Sequence, residues 1–240
     1  MYENQEGGFS ATEAEDLPIG AIVPFSTVDW PGKLACVAFL AGCPWRCPYC
    51  QNRIFWGPDA PRDSFSSLVS LLEARAGLLD GVVFSGGEPT LAPSLPAAVR
   101  VVHDMGFEVG LHTAGIFPER VAQIAPYLSW VGLDIKAPWD SYDNVTKAQG
   151  TGALARRTLE ILLEAGVDLE CRTTWHPSLV SQEDLVTIGT TLASYGVKHW
   201  AIQAYRSAGT DGSLPDIHVF RSDVPEAAQN AVPHFEFRGL

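Results

Sequence analysis

The sequence predicts an α/β protein, a partial (β/α)6 barrel with parallel strands, on the basis of two observations. Apolar segments of strand length alternate along the chain with amphipathic segments of helix length, and the apolar segments are nearly continuous in hydrophobic residues. Strands joined by long helical crossovers pair in parallel, and strands that are apolar on both faces are covered on both sides. An open doubly wound sheet is the alternative architecture.

The predicted elements follow one another from residue 34 to residue 206. Six strands are predicted at 34–42, 81–87, 107–115, 129–137, 167–175 and 198–206. The five helices between them are predicted at 65–79, 95–105, 118–128, 152–166 and 181–196. Residues 207–240 break this alternation, because SAGTDGSLPD is rich in turn formers and only HFEFR resembles a last edge strand. We therefore expect one domain over 17–240, with its core at 34–206, preceded by an acidic disordered tail at 1–16.

Composition limits the possible partners and locations of the protein. The chain has 240 residues, of which 46% are hydrophobic and seven are tryptophan, as is typical of a globular protein. A net charge of −12 argues against binding to nucleic acid, whose phosphates need a basic surface. No apolar run reaches the roughly 18 to 20 residues that span a bilayer, so no membrane association is expected. The acidic start of the chain lacks the apolar region of a secretion signal, which predicts a cytoplasmic protein with reduced thiols.

Three of the five cysteines lie close together after the first predicted strand. Cys43, Cys47 and Cys50 form the pattern C-x3-C-x2-C, which random placement would produce roughly one time in a thousand. One interpretation is a structural zinc site completed by Cys36, Cys171 or a histidine, although no second C-x2-C pair is present. The other is an iron–sulfur cluster in which one iron lacks a protein ligand.

Polar residues recur at the carboxyl ends of the other predicted strands. They are Gly86, Gly87, Glu88, Thr113, Asp134, Lys136, Arg172 and Gln203. The loops at this end of a parallel barrel build the active site, so these residues are expected to face the three cysteines.

An amino acid that chelates the open iron through its amine and carboxylate would explain this set of residues. The glycine pair would let the backbone approach the amine, with Glu88 as a carboxylate acceptor. Arg172 and Lys136 could offset the charge of the ligand carboxylate. Asp134 could accept hydrogen bonds from a ribose, and Tyr49 could lie against an adenine.

These motifs, C43-PWR-C47-PY-C50 followed by SGGEP at 85–89, resemble those of the radical S-adenosylmethionine superfamily. The resemblance implies a [4Fe–4S] cluster on the three cysteines, with S-adenosylmethionine bound to the fourth iron. It also implies reductive cleavage of S-adenosylmethionine to a 5′-deoxyadenosyl radical that abstracts hydrogen, with reduced flavodoxin or ferredoxin as electron donor.

A narrower resemblance is to the activating proteins of glycyl radical enzymes. It rests on 26–52, which includes the turn Asp29-Trp-Pro-Gly32, and on GLDIKAP at 132–138, and it extends over about 20–206. The sequence is most similar to the activating component of anaerobic ribonucleoside-triphosphate reductase. This resemblance implies that the partner is a glycyl radical enzyme, that its glycine loses the hydrogen, and that Asp29 contacts the loop bearing that glycine.

Two positions depart from the activating proteins. Gln51 stands where they commonly carry histidine, and His112 replaces an aspartate that helps bind a monovalent cation in formate-lyase activases. No such cation is therefore inferred here. A radical S-adenosylmethionine enzyme that acts on a small molecule or peptide stays open as an alternative, as does a non-catalytic iron–sulfur or zinc protein.

Overall fold

The fold is built on one eight-stranded sheet, seen in a computed structural model that describes residues 11–57, 60 and 62–239. The strands are β1 Ile19–Ser26, β2 Ala35–Leu40, β3 Gly81–Gly86, β4 Glu108–Thr113, β5 Trp130–Asp134, β6 Asp168–Trp175, β7 His199–Ala204 and β8 His234–Arg238. Strands β2 to β8 pair in parallel, and β1 pairs antiparallel with β2. The predicted α/β class with a mostly parallel sheet is confirmed.

The strand number differs from the predicted six. The six predicted strands are β2 to β7, the segment HFEFR forms β8, and β1 was not predicted from the sequence. Pro24 interrupts the apolar run of β1 and removes a hydrogen-bond donor, which a strand tolerates only at the edge of a sheet. The pairing of β1 with β2 shifts register between Val23 and Ser26, around this proline.

The strand order excludes the doubly wound alternative. In a doubly wound sheet the order reverses partway, whereas here the spatial order follows the chain from β1 to β8. The connections between successive parallel strands all have the same handedness, so in a sheet with this strand order the helices lie on one face. The other face curves around an interior, as in a barrel left open between β1 and β8.

Eight α-helices are present among the described residues. They are α1 Ala11–Ala14, α2 Phe65–Ala74, α3 Leu95–Asp104, α4 Pro118–Ile124, α5 Tyr142–Thr146, α6 Thr151–Ala165, α7 Gln182–Ser194 and α8 Glu226–Gln229. The five predicted helices are α2, α3, α4, α6 and α7; α4 ends earlier than predicted, since a 3-10 turn containing Pro126 follows it. Within the described ranges, no helix is both long and apolar enough to cross a bilayer.

The amino-terminal tail differs in part from the prediction. Residues 1–10 of the predicted disordered segment lie outside the described residues, but Ala11–Ala14 form α1. Ala14 and Leu17 are buried in the main hydrophobic core, so ordered structure begins before residue 17.

An apolar floor closes the amino-terminal part of the interior. Trp30 stacks on Trp130 with ring centroids 5.6 Å apart, and both pack with Ala35, Val37 and Val83. Successive side chains of a strand alternate between its faces, so the next interior positions along these strands lie one layer above the floor. Ser85 of β3 and His112 of β4 lie in that layer, beside Phe39 of β2.

Candidate active site

A cavity of about 530 Å³ opens at the carboxyl ends of the parallel strands. Side chains from β2 to β8, from the loop after β2 and from the turn before β2 line it. Every parallel strand therefore contributes to one site, at the end where barrels of this kind place their chemistry.

The three clustered cysteines lie on the loop after β2 and all line this cavity. The amide of Cys50 donates to the carbonyl of Cys47 over 3.0 Å, which tightens the loop. Cys36 and Cys171 are fully buried on the opposite, helix-covered face of the sheet. Burial raises the pKa of the Cys36 thiol to about 12 and raises the pKa of Cys171 as well. Burial of this kind is typical of inert core thiols, so the prediction that these two residues are not ligands is kept as a prediction.

The cysteine arrangement does not resemble a site for one ion. Across the described part of the chain, no three His, Cys, Asp or Glu side chains converge on a point where a single metal ion would bind. Cys43, Cys47 and Cys50 nonetheless line the same cavity.

Gly86 and Gly87 join the end of β3 to the cysteine loop. The amide of Gly87 donates to the carbonyl of Leu40, and the amide of Glu88 donates to the carbonyl of Gly42, each over 2.8 Å. A Cβ atom on Gly86 would overlap the backbone of Leu40, and one on Gly87 would overlap the carbonyl of Gly42. Gly86 also has φ of +115°, a conformation open to glycine alone among common residues.

Glu88 lies behind the cavity wall, not on its surface. The side chain is buried, and its carboxylate accepts four hydrogen bonds, from the amide and hydroxyl of Thr90, the hydroxyl of Thr113 and the amide of Ala114. Burial raises the pKa of Glu88, and these donors oppose the shift. The carboxylate thus ties the end of β3 to the end of β4, while its predicted contact with a ligand amine stays a prediction.

Asp134 and Lys136 form a charged pair beside the cysteine loop. The Lys136 Nζ lies 2.8 Å from Asp134 Oδ2 and 5.5 Å from the ring centroid of the buried Tyr49. Tyr142 fixes this segment by donating its hydroxyl to the carbonyl of Asp134. Burial alone would lower the pKa of Lys136, but the charge of Asp134 holds it well above its usual value. A lysine that stays cationic inside a cavity is suited to binding a carboxylate.

Replacing Lys136 by methionine is expected to weaken binding of S-adenosylmethionine by about 10-fold to 150-fold, the equivalent of roughly 1.5–3 kcal/mol for a charge-assisted contact. Equilibrium binding to the reconstituted protein measures this effect. Lys33→Met is the matched control, because Lys33 pairs with Glu108 near the opposite end of the strands. Unchanged affinity in both Lys136→Met and Asp134→Ala would show that this pair does not bind the ligand.

His112 occupies the interior of the barrel above Trp130. Its Nε2–H donates to the carbonyl of Asp29 over 2.7 Å, and its Nδ1 accepts from the hydroxyl of Ser85 over 3.3 Å. This neutral tautomer satisfies Asp29 and Ser85, while Arg172 Nη1, 3.0 Å from the same Nε2, is then a charged neighbour and not a hydrogen-bond partner. Burial, together with the guanidinium of Arg172 at 3.0 Å, lowers the pKa of His112 to about 3.

We expect His112 to remain neutral well below the usual titration range of histidine. An imidazole whose pKa falls from 6.5 to about 3 resists protonation in the folded state, so stability decreases as pH falls through that window. NMR titration of the metal-free protein should show the His112 imidazole still neutral at pH 4.5, and His112→Gln should remove that resonance. Titration of the His112 imidazole above pH 5.5 would contradict the assignment.

A network of charges connects β6 to β8 at the cavity. Glu170 accepts from the Nε of Arg172 over 2.5 Å and from both terminal nitrogens of Arg238, over 2.9 and 2.7 Å. Burial would raise the pKa of Glu170, but the two guanidiniums hold it below its usual value. The network directs Arg172 toward His112 and brings β8 into the cavity wall.

The remaining predicted residues also lie at the cavity. Thr113 and Gln203 line it, and Gln203 pairs in register with Arg238. Asp29 lies at the mouth, where its carboxylate accepts a hydrogen bond of 2.5 Å from the hydroxyl of Ser26. Of the predicted set, only Glu88 does not form part of the lining.

Sequence reasoning missed several residues of the site, and three of them make contacts that shape it. Trp56 donates its indole N–H to the Sγ of Cys50, Asn52 donates to the carbonyl of Gly86, and Arg238 reaches the cavity from β8. Trp56 and Asn52 follow the last cysteine closely in the sequence, and this proximity could have indicated them. The sequence around Arg238 contains no such signal, because its partner Glu170 is 68 residues away.

The model of the radical SAM superfamily matches residues 37–187 of the chain. A protein of Methanocaldococcus jannaschii with the provisional name glycyl-radical enzyme activating enzyme is 29% identical over 194 residues, which cover 78% of this chain and 79% of that protein. The 7-carboxy-7-deazaguanine synthase of Thermococcus kodakarensis is 28% identical over 151 residues, and the match covers 52% of this chain and 57% of that enzyme.

Solved structures show the same fold at low sequence identity. The structure of native anSMEcpe with bound AdoMet superposes with a TM-score of 0.53 at 17% identity, over 80% of this chain and 55% of that chain.

Proposed function

The chain belongs to the radical SAM superfamily, and from this premise we propose that it activates a partner enzyme by removing hydrogen from one of that partner's glycines. The partner that we propose is an anaerobic ribonucleoside-triphosphate reductase, with reduced flavodoxin or ferredoxin as the electron donor. Similarity to the M. jannaschii protein over about four-fifths of both chains is the observation that carries this proposal.

The residues of the cavity fit the cofactors of this family, a [4Fe–4S] cluster and S-adenosylmethionine. Cys43, Cys47 and Cys50 provide three thiolates on one wall. No fourth cysteine is available, because Cys36 and Cys171 lie on the other face of the sheet. Together the two cofactors supply a radical that abstracts hydrogen, and the protein supplies binding, orientation and shielding.

The remaining wall has groups suited to an amino acid and a nucleoside. The cationic Lys136 and Arg172 can offset a carboxylate, and the close backbone at Gly86 and Gly87 can approach an amine. The ring of Tyr49, held against Lys136, offers a surface for an adenine. These contacts are part of the proposal.

The turn before β2 supports a polypeptide as the substrate. Val28 and Asp29 line the mouth of the cavity, and Val28 is 82% exposed. Phe25, on the neighbouring edge strand β1, is 51% exposed. An exposed apolar rim next to a carboxylate can hold an incoming loop by its side chains and by its backbone N–H groups.

The test is to incubate the reduced protein with S-adenosylmethionine and the candidate reductase under anaerobic conditions. A glycyl radical doublet should appear by electron paramagnetic resonance, and it should be absent when the glycine of the partner is replaced by alanine. Asp29→Ala should reduce the doublet while leaving uncoupled cleavage of S-adenosylmethionine intact. Cleavage without a doublet on any glycyl radical enzyme of the same organism would refute the proposal.

The second candidate function is radical chemistry on a small anionic molecule. It is favoured by the charge of the cavity lining, which includes the basic residues Lys136, Arg172, Arg206 and Arg238 against the acidic residues Asp29 and Asp134. A cavity of about 530 Å³ is also within the range of small-molecule sites. Cleavage of S-adenosylmethionine stimulated by a small anion, with no glycyl radical on a partner, would select this function.

A further inference from the structure

Trp56 contacts the cysteine loop from the cavity wall, yet nothing in the proposed function uses it. Its Nε1–H donates to the Sγ of Cys50, with nitrogen and sulfur 3.3 Å apart. Among the described residues, it is the only side-chain donor found hydrogen-bonded to a sulfur of the three cavity cysteines. The indole is half-buried, so this contact is partly shielded from water.

Two guanidinium groups hold the indole ring in place. The Cζ of Arg46 lies 4.9 Å from the ring centroid of Trp56, and the Cζ of Arg53 lies 4.7 Å from it. Arg46 is itself anchored, because it donates to the carbonyl of Cys43 over 2.5 Å, and Arg53 pairs with Asp211 at 2.6 Å. Cations over an aromatic face are attracted to it, so the ring is fixed with its N–H toward the sulfur.

The surroundings of the indole are positively charged, although the chain as a whole is acidic. The net charge is −12, yet two arginines meet at the indole beside Cys50. Positive charge over the ring withdraws electron density and makes the N–H a stronger donor. The same charge favours added negative charge on a nearby thiolate.

We propose that Trp56 is a positioning residue that raises the reduction potential of the cluster through its hydrogen bond to Cys50. Reduction adds one electron from an external reductant, and no bond forms or breaks and no proton moves. The added charge spreads onto the ligand sulfurs, so a donor to one of them stabilises the reduced state more than the oxidised state. This inference concerns the cluster alone and does not depend on the identity of the substrate.

The test is a redox titration of the reconstituted cluster without S-adenosylmethionine, followed by electron paramagnetic resonance. Trp56→Phe keeps an aromatic ring for the two arginines but removes the N–H. Its potential should fall by an amount equivalent to about a tenfold change in the reduction equilibrium, or about 59 mV for a one-electron couple. Trp139→Phe is the matched control, because the Trp139 N–H has no partner in the described structure, and its potential should not change.

A second variant separates the hydrogen bond from packing. Site-specific replacement of Trp56 by benzothienylalanine keeps the bicyclic ring and substitutes sulfur for the N–H. A lowered potential at full iron content supports the proposal. A wild-type potential in this variant overturns it. Loss of iron in this variant overturns it too, since the N–H would then serve cluster assembly instead of the potential.

Discussion

Replacing Cys47 by alanine is expected to abolish assembly of the cluster, whereas Cys171→Ala should retain full iron content. Neither Cys36 nor Cys171 can replace the lost thiolate, because both are fully buried on the opposite face of the sheet. The Cys47 side chain lines the cavity together with Cys43 and Cys50. Iron and sulfide analysis after anaerobic reconstitution measures the effect.

The controls separate ligand loss from misfolding. Cys36→Ala and Cys171→Ala each remove a buried thiol from the helix-covered face without touching the cavity, so their spectra and iron content should match those of the wild type. Circular dichroism should show that Cys47→Ala protein is folded. Normal iron in Cys47→Ala, or loss of iron from folded Cys171→Ala, would mean that the wrong cysteines have been assigned.

Local sequence signals predicted most of the sheet and most of the cavity. Strands β2, β3 and β5 are mostly apolar runs, which can be found without knowledge of their neighbours. The cysteine loop and the glycine pair have fixed spacings, and strand ends in a parallel barrel converge regardless of sequence distance. These features are properties of short segments or of the architecture itself.

Features that depend on distant partners were not predictable. Strand β1 is stabilised by pairing with β2 despite Pro24, and its own segment gives a weak signal. Arg238 enters the cavity because Glu170, 68 residues earlier, accepts both of its terminal nitrogens. The motif around Glu88 predicted a contact with a ligand. In the fold its carboxylate instead accepts hydrogen bonds from Thr113 and Ala114 at the end of β4, and these donors could not be foreseen from the motif.

Glu88→Ala is therefore expected to destabilise the fold by about 3–5 kcal/mol, since it leaves several buried donors without an acceptor. The backbone amides of Thr90 and Ala114 both donate to this carboxylate, as do the hydroxyls of Thr90 and Thr113. Glu88 is 2% exposed, so water cannot easily take its place. Urea unfolding of the metal-free protein measures the loss.

Glu88→Gln separates this structural role from a direct contact with S-adenosylmethionine. One oxygen of the carboxylate accepts from both groups of Thr90 and from Thr113, while the other accepts from Ala114 alone. A glutamine oxygen can keep the first three bonds, so the expected destabilisation is only about 1–2 kcal/mol. If the carboxylate acts only as a link between β3 and β4, affinity for S-adenosylmethionine in Glu88→Gln should stay within a few-fold of the wild type. A stable Glu88→Gln protein that binds S-adenosylmethionine more than tenfold more weakly would instead assign Glu88 to the ligand amine, and the carboxylate would have to turn into the cavity when the ligand binds.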